Sequence, residues 1–373
     1  VTDVDPAAWD RFVADSDPGS YLQTNAWARV KAVNGWSAHR VVVGPGAGAG
    51  GAGGSPGSRG GSLGSEDAQR IGAQVLVRRP RPMPWGFAYA PRGPVAAGWT
   101  PDTIGGFTAA IRERLPVDAG RISHLRIDPE IELDGAADPD GALRAALRTA
   151  GWRAAPPIQP NATRVIDLRA DEDALWGDLR KKWRQYVNKA RTGGVTVVDA
   201  SGDRLPEFYR IYSETAERAG FLIRAESAYR DVWEAFAPSG NARLLFAQAA
   251  DGEPQATLLL VRCGPRVVEP YGGMTAAGAE SRANYLLKWE AIRSSREAGA
   301  TSYDLWGLAT GGIAHFKTGF GGREVQYIGA WDLVLSGVGR EAYDWAQRSR
   351  VWLARRRGGI AATGSAAAYG AAD

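Results

Sequence analysis

Cysteine, histidine and long apolar runs are what this chain has least of. It holds a single cysteine, Cys263, in 373 residues, so no disulfide can close within it, and a lone thiol fits a reducing compartment. Its three histidines, His39, His124 and His315, are scattered and match no zinc or dyad spacing. There is no G-x-S-x-G elbow, Walker A loop or H-E-x-x-H pair. Ser-His and metal-assisted chemistry therefore lack their parts, and neither a metal nor a cofactor is expected. No stretch approaches the ~20 consecutive apolar residues of a membrane helix. The opening Val1-Thr2-Asp3-Val4-Asp5 lacks the basic-then-apolar order of a secretory signal, so a cytoplasmic protein is expected. An enzyme made from these residues must work by positioning and by charge.

What is present fits a globular protein of two domains. The length exceeds one ordinary core, and 44% hydrophobic with 23% charged residues is the balance of a soluble fold. The net charge of +4 says little, but its distribution says more. Basic residues cluster at Arg180, Lys181, Lys182, Arg184, Lys189 and Arg191, and again at Arg348, Arg350, Arg355, Arg356 and Arg357. Such clusters suit polyphosphate or nucleic acid, or else are solvated helix faces. Residues 44–68 are a Gly/Ser-rich stretch between strand-like 39–43 and 71–79, read as a long hairpin loop inside a domain. The Ala/Gly-rich tail from Gly358 to Asp373 is expected to fray.

A weak internal duplication gives the architecture. A helix over Thr103–Leu115, a strand over Ile122–Asp128 and a helix over Gly141–Ala150 lead to Gly151-Trp152. A helix over Ala283–Ala298, a strand over Ser302–Trp306 and a helical stretch to Lys317 lead to Gly319-Phe320. An earlier pair also matches: helix Gln23–Val33 before strand His39–Val43, and helix Ala174–Arg191 before strand Val195–Val198. On the latter helix Leu175, Leu179, Trp183 and Ala190 share one face, and the cations largely take the other. Two α/β halves with one element order point to a tandem acyltransferase-like fold.

Several local sequences resemble the FemABX family and occur in its order. They are Y-L-Q-T-N-A-W-A-R-V-K (21–31) with N-G-W (34–36), Y-A-P-R-G-P (89–94), and L-R-K-K-W-R-Q-Y-V-N-K-A-R-T-G-G-V (179–195). E-R-A-G-F-L-I-R (217–224) with Tyr229 follows, then Y-D-L-W-G (303–307) and H-F-K-T-G-F-G-G (315–322). The match spans roughly residues 9 to 335. It implies an α/β (α+β) fold of two tandem acetyltransferase-like (GNAT) domains with a cleft between them. In such proteins the chain returns to the first domain after the closing signature, so residues 1–158 with 325–373 form the first and 159–324 the second. The resemblance also implies an aminoacyl-tRNA donor and, as acceptor, the stem-peptide amine of a peptidoglycan precursor: lipid II or UDP-MurNAc-pentapeptide. The protein departs from the pattern in two ways. No charged heptad run marks a coiled-coil arm, and Val95-Ala96-Ala97-Gly98 follows R-G-P where relatives often carry an acidic residue.

The reaction so implied needs little machinery. The aminoacyl ester is already activated, so the enzyme aligns two substrates, stabilises an oxyanion and manages one proton. Phe316 and Lys317 are the expected catalytic pair. Lys317 sits in a Gly-rich segment that a ligand can approach closely, and Phe316 suits the terminal adenosine. By resemblance Lys31 contacts the precursor's phosphates, although alone it reads as a surface helix lysine. Arg218 and Arg224 compete for a second phosphate clamp, or for ion pairs with Glu214 or Glu226. Tyr271 binds substrate or simply packs, and Asp304 turns the chain after a strand. Lys181, Lys182, Arg184 and Lys189 form the candidate tRNA track. Glycine is the favoured cargo, with alanine or serine as alternatives, and a monomer is expected. Use of lipid II would require peripheral membrane docking, for which the helix 340–357 with Trp345 and Trp352 is a candidate. Rival functions are a tRNA-dependent aminoacyltransferase of secondary metabolism, an acyl-CoA N-acyltransferase, whose pyrophosphate loop the sequence lacks, and a non-catalytic RNA-binding protein.

Overall fold

The computed structural model describes residues 4–44, 70–81, 83–308 and 312–356. The Gly/Ser stretch beyond Gly44 and the tail from Gly358 lie outside the described residues. The chain forms two compact units: the described residues of Val1–Gln159 with Tyr327–Thr363, and those of Pro160–Gln326.

In chain order, the first unit opens with α1 (Pro6–Asp15), α2 (Asn25–Ala32), β1 (Ser37–Val43), β2 (Ile71–Arg78), β3 (Gly86–Ala90) and the short β4 (Val95–Ala96). It continues with α3 (Pro101–Ala119), β5 (Ile122–Ile127), α4 (Ala142–Thr149) and β6 (Trp152–Ala155). The second unit holds β7 (Ala162–Asp167), α5 (Glu172–Asp178), α6 (Lys181–Thr192), β8 (Thr196–Ala200), α7 (Leu205–Ala219) and α8 (Glu226–Phe236). There follow β9 (Ala242–Gln248), β10 (Pro254–Cys263), β11 (Arg266–Met274), α9 (Ala276–Ser281), α10 (Ala283–Glu297), β12 (Ser302–Asp304), α11 (Gly312–Thr318) and β13 (Arg323–Gln326). The chain then returns to the first unit as β14 (Ala330–Val334) and α12 (Gly337–Arg356).

Each unit is built on one mixed sheet. The first runs β1-β2-β3-β5-β14-β6, with β4 beside β2. The second runs β13-β7-β12-β11-β10-β9-β8. In both, an antiparallel meander leads into a single parallel pair, β3·β5 or β11·β12, and further antiparallel strands follow. Parallel neighbours cannot be joined by a tight hairpin, so a helix must cross over. That helix is α3 in one unit and α10 in the other. The duplication seen in the sequence is this crossover, helix then strand, made twice. The place that β7 fills in the second sheet is filled in the first by β14, after the chain has returned.

Local chemistry sets the helix ends. Thr100 caps α3 in a reciprocal box with Thr103, and Pro101 takes the first turn. The helix therefore starts earlier than the apolar pattern alone marks, and it ends at Gly120, where φ is +69°. Its inner face meets Val41, Val75 and Leu125 in the first core. Val187, Leu245, Leu287, Ile292 and Tyr303 build the second. Two expected helices differ. Gln23–Val33 is a 3-10 turn, Tyr21–Gln23, followed by α2 from Asn25. Ala174–Arg191 is not one helix but α5 and α6, broken at Leu179-Arg180. The break has tertiary partners: Arg180 N donates to Gly319 O at 3.0 Å, and Asp178 accepts from Gly322 N at 2.7 Å.

Candidate active site

Strand β12 ends at Asp304 opposite Val268, whereas β11 runs on to Met274. Past Val268 the β12 side of β11 therefore opens, at the carboxyl ends of the parallel pair. Open α/β sheets bind ligands at such ends. Asp304 is buried and turns the chain there, accepting from Thr163 Oγ1 at 2.5 Å, from Trp306 N at 2.7 Å and from Arg266. Trp306 and Gly307 follow with φ of +46° and +71°. For a non-glycine such as Trp306 that conformation costs ~1–3 kcal/mol. It turns two successive carbonyls onto one ammonium: Lys317 Nζ donates to Trp306 O at 2.5 Å and to Gly307 O at 2.9 Å. An ammonium has three N–H donors, so among the described residues one is left for a ligand.

Lys317 is held in place from α6. Trp183 Nε1 donates to Phe316 O at 3.0 Å, and Trp183, Val187 and Ala190 are the buried face of α6. Gly319 is there because a side chain would collide with the Trp183 indole. Phe316 packs edge-on against Tyr285 and Phe320, with ring centroids at 5.0 and 5.1 Å.

Beneath this segment lies a buried ion pair that the sequence did not mark. Lys288 of α10 pairs with Glu269 of β11, and Tyr303 donates its hydroxyl to the other oxygen of Glu269 at 2.8 Å. The Lys288 ammonium lies 5.4 Å from the Phe316 ring centroid. Desolvation first, and then the like charge of Lys288, pull the Lys317 pKa down to about 8, against the pull of Glu269 and Asp304. Lys317 is thus a cation at neutral pH and loses its proton only slightly above it.

The other predicted residues fall into separate places. Arg224 and Tyr271 come together with Tyr229: Arg224 N donates to Tyr229 Oη at 3.1 Å, and the Tyr229 and Tyr271 rings are 5.1 Å apart. Burial raises the Tyr271 pKa, and the Arg224 charge opposes it. Arg218 instead donates to Met274 O at 2.8 Å, holding the end of β11. Glu214 pairs with Arg210, and Glu226 pairs with Arg230. On α6, Lys181, Lys182 and Lys189 are exposed. Arg184 differs, since its Nη1 donates to the carbonyls of Gly177 and Leu179 at 2.6 and 2.9 Å, which closes α5.

Lys31 belongs to the first unit. It is no surface lysine: it is 4% exposed, with Nζ 5.8 Å from the Trp27 ring centroid and 5.7 Å from that of Trp36. The same unit holds a further buried node that sequence reasoning missed. Asp128 accepts from Tyr89 Oη at 2.7 Å and from Arg92 N at 2.6 Å, and Arg92 Nε lies 3.5 Å from Glu130 Oε1. Burial pushes the Asp128 pKa up to about 6, against the Arg92 charge. Among the described residues no cluster of His, Cys, Asp and Glu is arranged to hold a metal. None of their helices is long and apolar enough to cross a membrane.

A sequence profile of the FemAB family matches residues 4–253 and 241–348, so the chain belongs to the FemAB family. It is 27% identical over 256 residues to the lipid II:glycine glycyltransferase of Staphylococcus saprophyticus, covering 67% of this chain and 55% of that protein. To the lipid II:glycine glycyltransferase of Staphylococcus aureus it is 25% identical over 244 residues, covering 64% and 52%. The chain thus spans about half the length of the curated relatives it matches. The crystal structure of FemX superposes with a TM-score of 0.76 at 20% identity, over 92% of this chain and 98% of that one. A conserved protein of unknown function from Bacteroides thetaiotaomicron superposes with a TM-score of 0.53 at 10% identity, over 90% and 99%. These two likenesses establish the mixed α/β fold with its two sheets.

Proposed function

We propose that the protein is an aminoacyltransferase that moves an amino acid, glycine by preference, from its tRNA ester to the stem-peptide amine of a peptidoglycan precursor. The observation that carries the reading is Lys317: an ammonium fixed by two backbone carbonyls, with one donor left over, at the open end of a parallel strand pair. The names of the staphylococcal relatives supply the substrate class. In the reaction the amine nitrogen attacks the ester carbonyl. The carbonyl oxygen becomes an oxyanion that accepts the remaining Lys317 N–H. The ester C–O bond then breaks, the ribose oxygen leaves, and the proton lost by the amine ends on that oxygen. No enzyme nucleophile is required, which suits the shortage of cysteine and histidine.

Phe316 is the proposed contact for the terminal nucleoside, and Lys181, Lys182 and Lys189 are the proposed phosphate track of the donor. Lys31 is the proposed contact for the acceptor's phosphates. Arg224, beside Tyr271, is preferred over Arg218, whose guanidinium serves the β11 backbone. The test uses purified protein, a panel of charged tRNAs, and lipid II beside UDP-MurNAc-pentapeptide, with products weighed by mass spectrometry. One added glycyl residue is the expected product. Absence of product with every charged tRNA, or transfer from an acyl-CoA instead, would overturn the reading.

A further inference from the structure

Around Lys182 of the proposed phosphate track lies a cluster of rings and cations to which the acyl-transfer reading gives no role. Tyr186 of α6 carries the Arg282 guanidinium 4.5 Å from its ring centroid and the Lys182 ammonium at 5.6 Å. Its ring meets Tyr285 of α10 at 4.8 Å, and Tyr285 meets Trp183 at 5.3 Å. Trp183 also meets His315 at 5.3 Å, with Arg180 Nη1 3.3 Å from the His315 Nδ1. Tyr186 and Tyr285 are half-buried, while Arg180, Lys182 and His315 are exposed.

The charges of this cluster are not balanced by acidic partners. Among the described residues no carboxylate pairs with Arg180, Lys182 or Arg282, although Arg191, Arg210, Arg230 and Arg293 of the same unit all have one. Arg282 stands at φ +68° as the left-handed cap between α9 and α10. Arg282 Nη1 donates to Ala279 O at 2.9 Å, while among the described residues Arg282 Nε and Asn284 Oδ1 have no hydrogen-bond partner. Half-exposed rings beside cations that lack a carboxylate match the two demands of an unpaired polynucleotide: π faces for its bases and positive charge for its phosphates.

We propose that Tyr186, Tyr285 and Arg282 form a stacking platform for the unpaired nucleotides at the 3′ end of an RNA, with Lys182 and Arg180 against its phosphates. The proposal rests on the reading of an RNA donor and adds how the end of that donor is held. It places the single-stranded end on α6 and the start of α10, which are the elements that pack around Phe316.

The test is direct binding by the full chain, which needs no aminoacylation. Fluorescence anisotropy compares a labelled hairpin RNA carrying four unpaired 3′ nucleotides with the same hairpin made blunt. The overhung RNA should bind at least about fivefold more tightly, the lower end of what one stacked base contributes. Tyr186→Leu should erase that preference, and Tyr186→Phe should keep it. Arg282→Asn, which tolerates the left-handed backbone, should weaken the preference and serves as the second variant if Tyr186→Leu fails to fold. Equal binding of the two RNAs by the wild type, a preference unchanged in folded Tyr186→Leu, or an equal loss for both RNAs each overturns the platform. So does a Tyr186-dependent affinity for anionic phosphatidylglycerol vesicles with none for RNA. A Tyr186-dependent preference without any transfer product keeps the platform and removes the acyl-transfer reading. Transfer with no preference for the overhang does the reverse.

Discussion

Replacing Lys317 with arginine separates the two things a lysine can offer, a fixed positive charge and a proton that comes and goes. The pKa of Lys317 is drawn from 10.5 to about 8, which amounts to roughly 3 kcal/mol against the ammonium at 1.36 kcal/mol per unit. If the oxyanion needs the ammonium, kcat/KM falls above pH 8. At pH 9 about nine-tenths of the lysine is neutral, and its contribution alone lowers the rate about tenfold. Arginine stays protonated beyond pH 12. Lys317→Arg should therefore be slower at neutral pH, because its fork does not reproduce the bonds to Trp306 and Gly307, but it should lack the alkaline limb. Lys317→Ala should lose ~10²-fold or more at every pH, the scale of one missing oxyanion donor. The assay is initial-rate transfer of labelled glycine between pH 6.5 and 9.5, corrected for spontaneous ester hydrolysis. Deprotonating the acceptor amine pushes the rate of both enzymes up with pH and offsets the fall, so the signature is the ratio of the wild-type rate to the Lys317→Arg rate, which should drop about tenfold between neutral pH and pH 9. A ratio that stays level or rises through pH 8 would refute the reasoning.

Lys288→Met leaves Glu269 buried and unpaired and should cost about 3–5 kcal/mol in urea unfolding; adding Glu269→Gln should restore much of it. Because Lys288 lowers the Lys317 pKa more than Glu269 raises it, the double variant should move the alkaline limb upward, and a downward move would show that the pair is misread. Reversing Lys181, Lys182 and Lys189 together should raise the KM for the donor far more than that for the acceptor; identical activity at all salt concentrations would remove α6 as a phosphate track. Gly319→Ala forces a methyl group into the Trp183 indole and should destabilise the protein by ~1–3 kcal/mol. Transfer should fall as well, since Trp183 holds the Phe316 carbonyl; a stable and fully active variant would count against that role.

Periodicity and turn residues made part of the element order legible, because both signals are local. The helix-then-strand crossovers at α3–β5 and α10–β12 could be read this way, and so could the buried face of α6. The Phe316-Lys317 pair was visible because its glycines and its motif are contiguous. What the sequence left open is set by contacts between distant segments. The break between α5 and α6 depends on Gly319 and Gly322, more than a hundred residues downstream in the chain. Arg184 reads like its lysine neighbours until its carbonyl partners are seen. Lys288, between Leu287 and Trp289, reads as one polar position in an apolar helix, and only the packing of α10 on β11 sets Glu269 against it. The same is true of Asp128 and Arg92, which β3 and β5 bring together in the first unit. Sequence alone determined the helix-then-strand order of the two crossovers and that the chemistry is short of cysteine and histidine. Tertiary structure decided which charges are buried together. A buried charge is tolerated only beside its partner, and partners are chosen by sheet register, which no local pattern encodes.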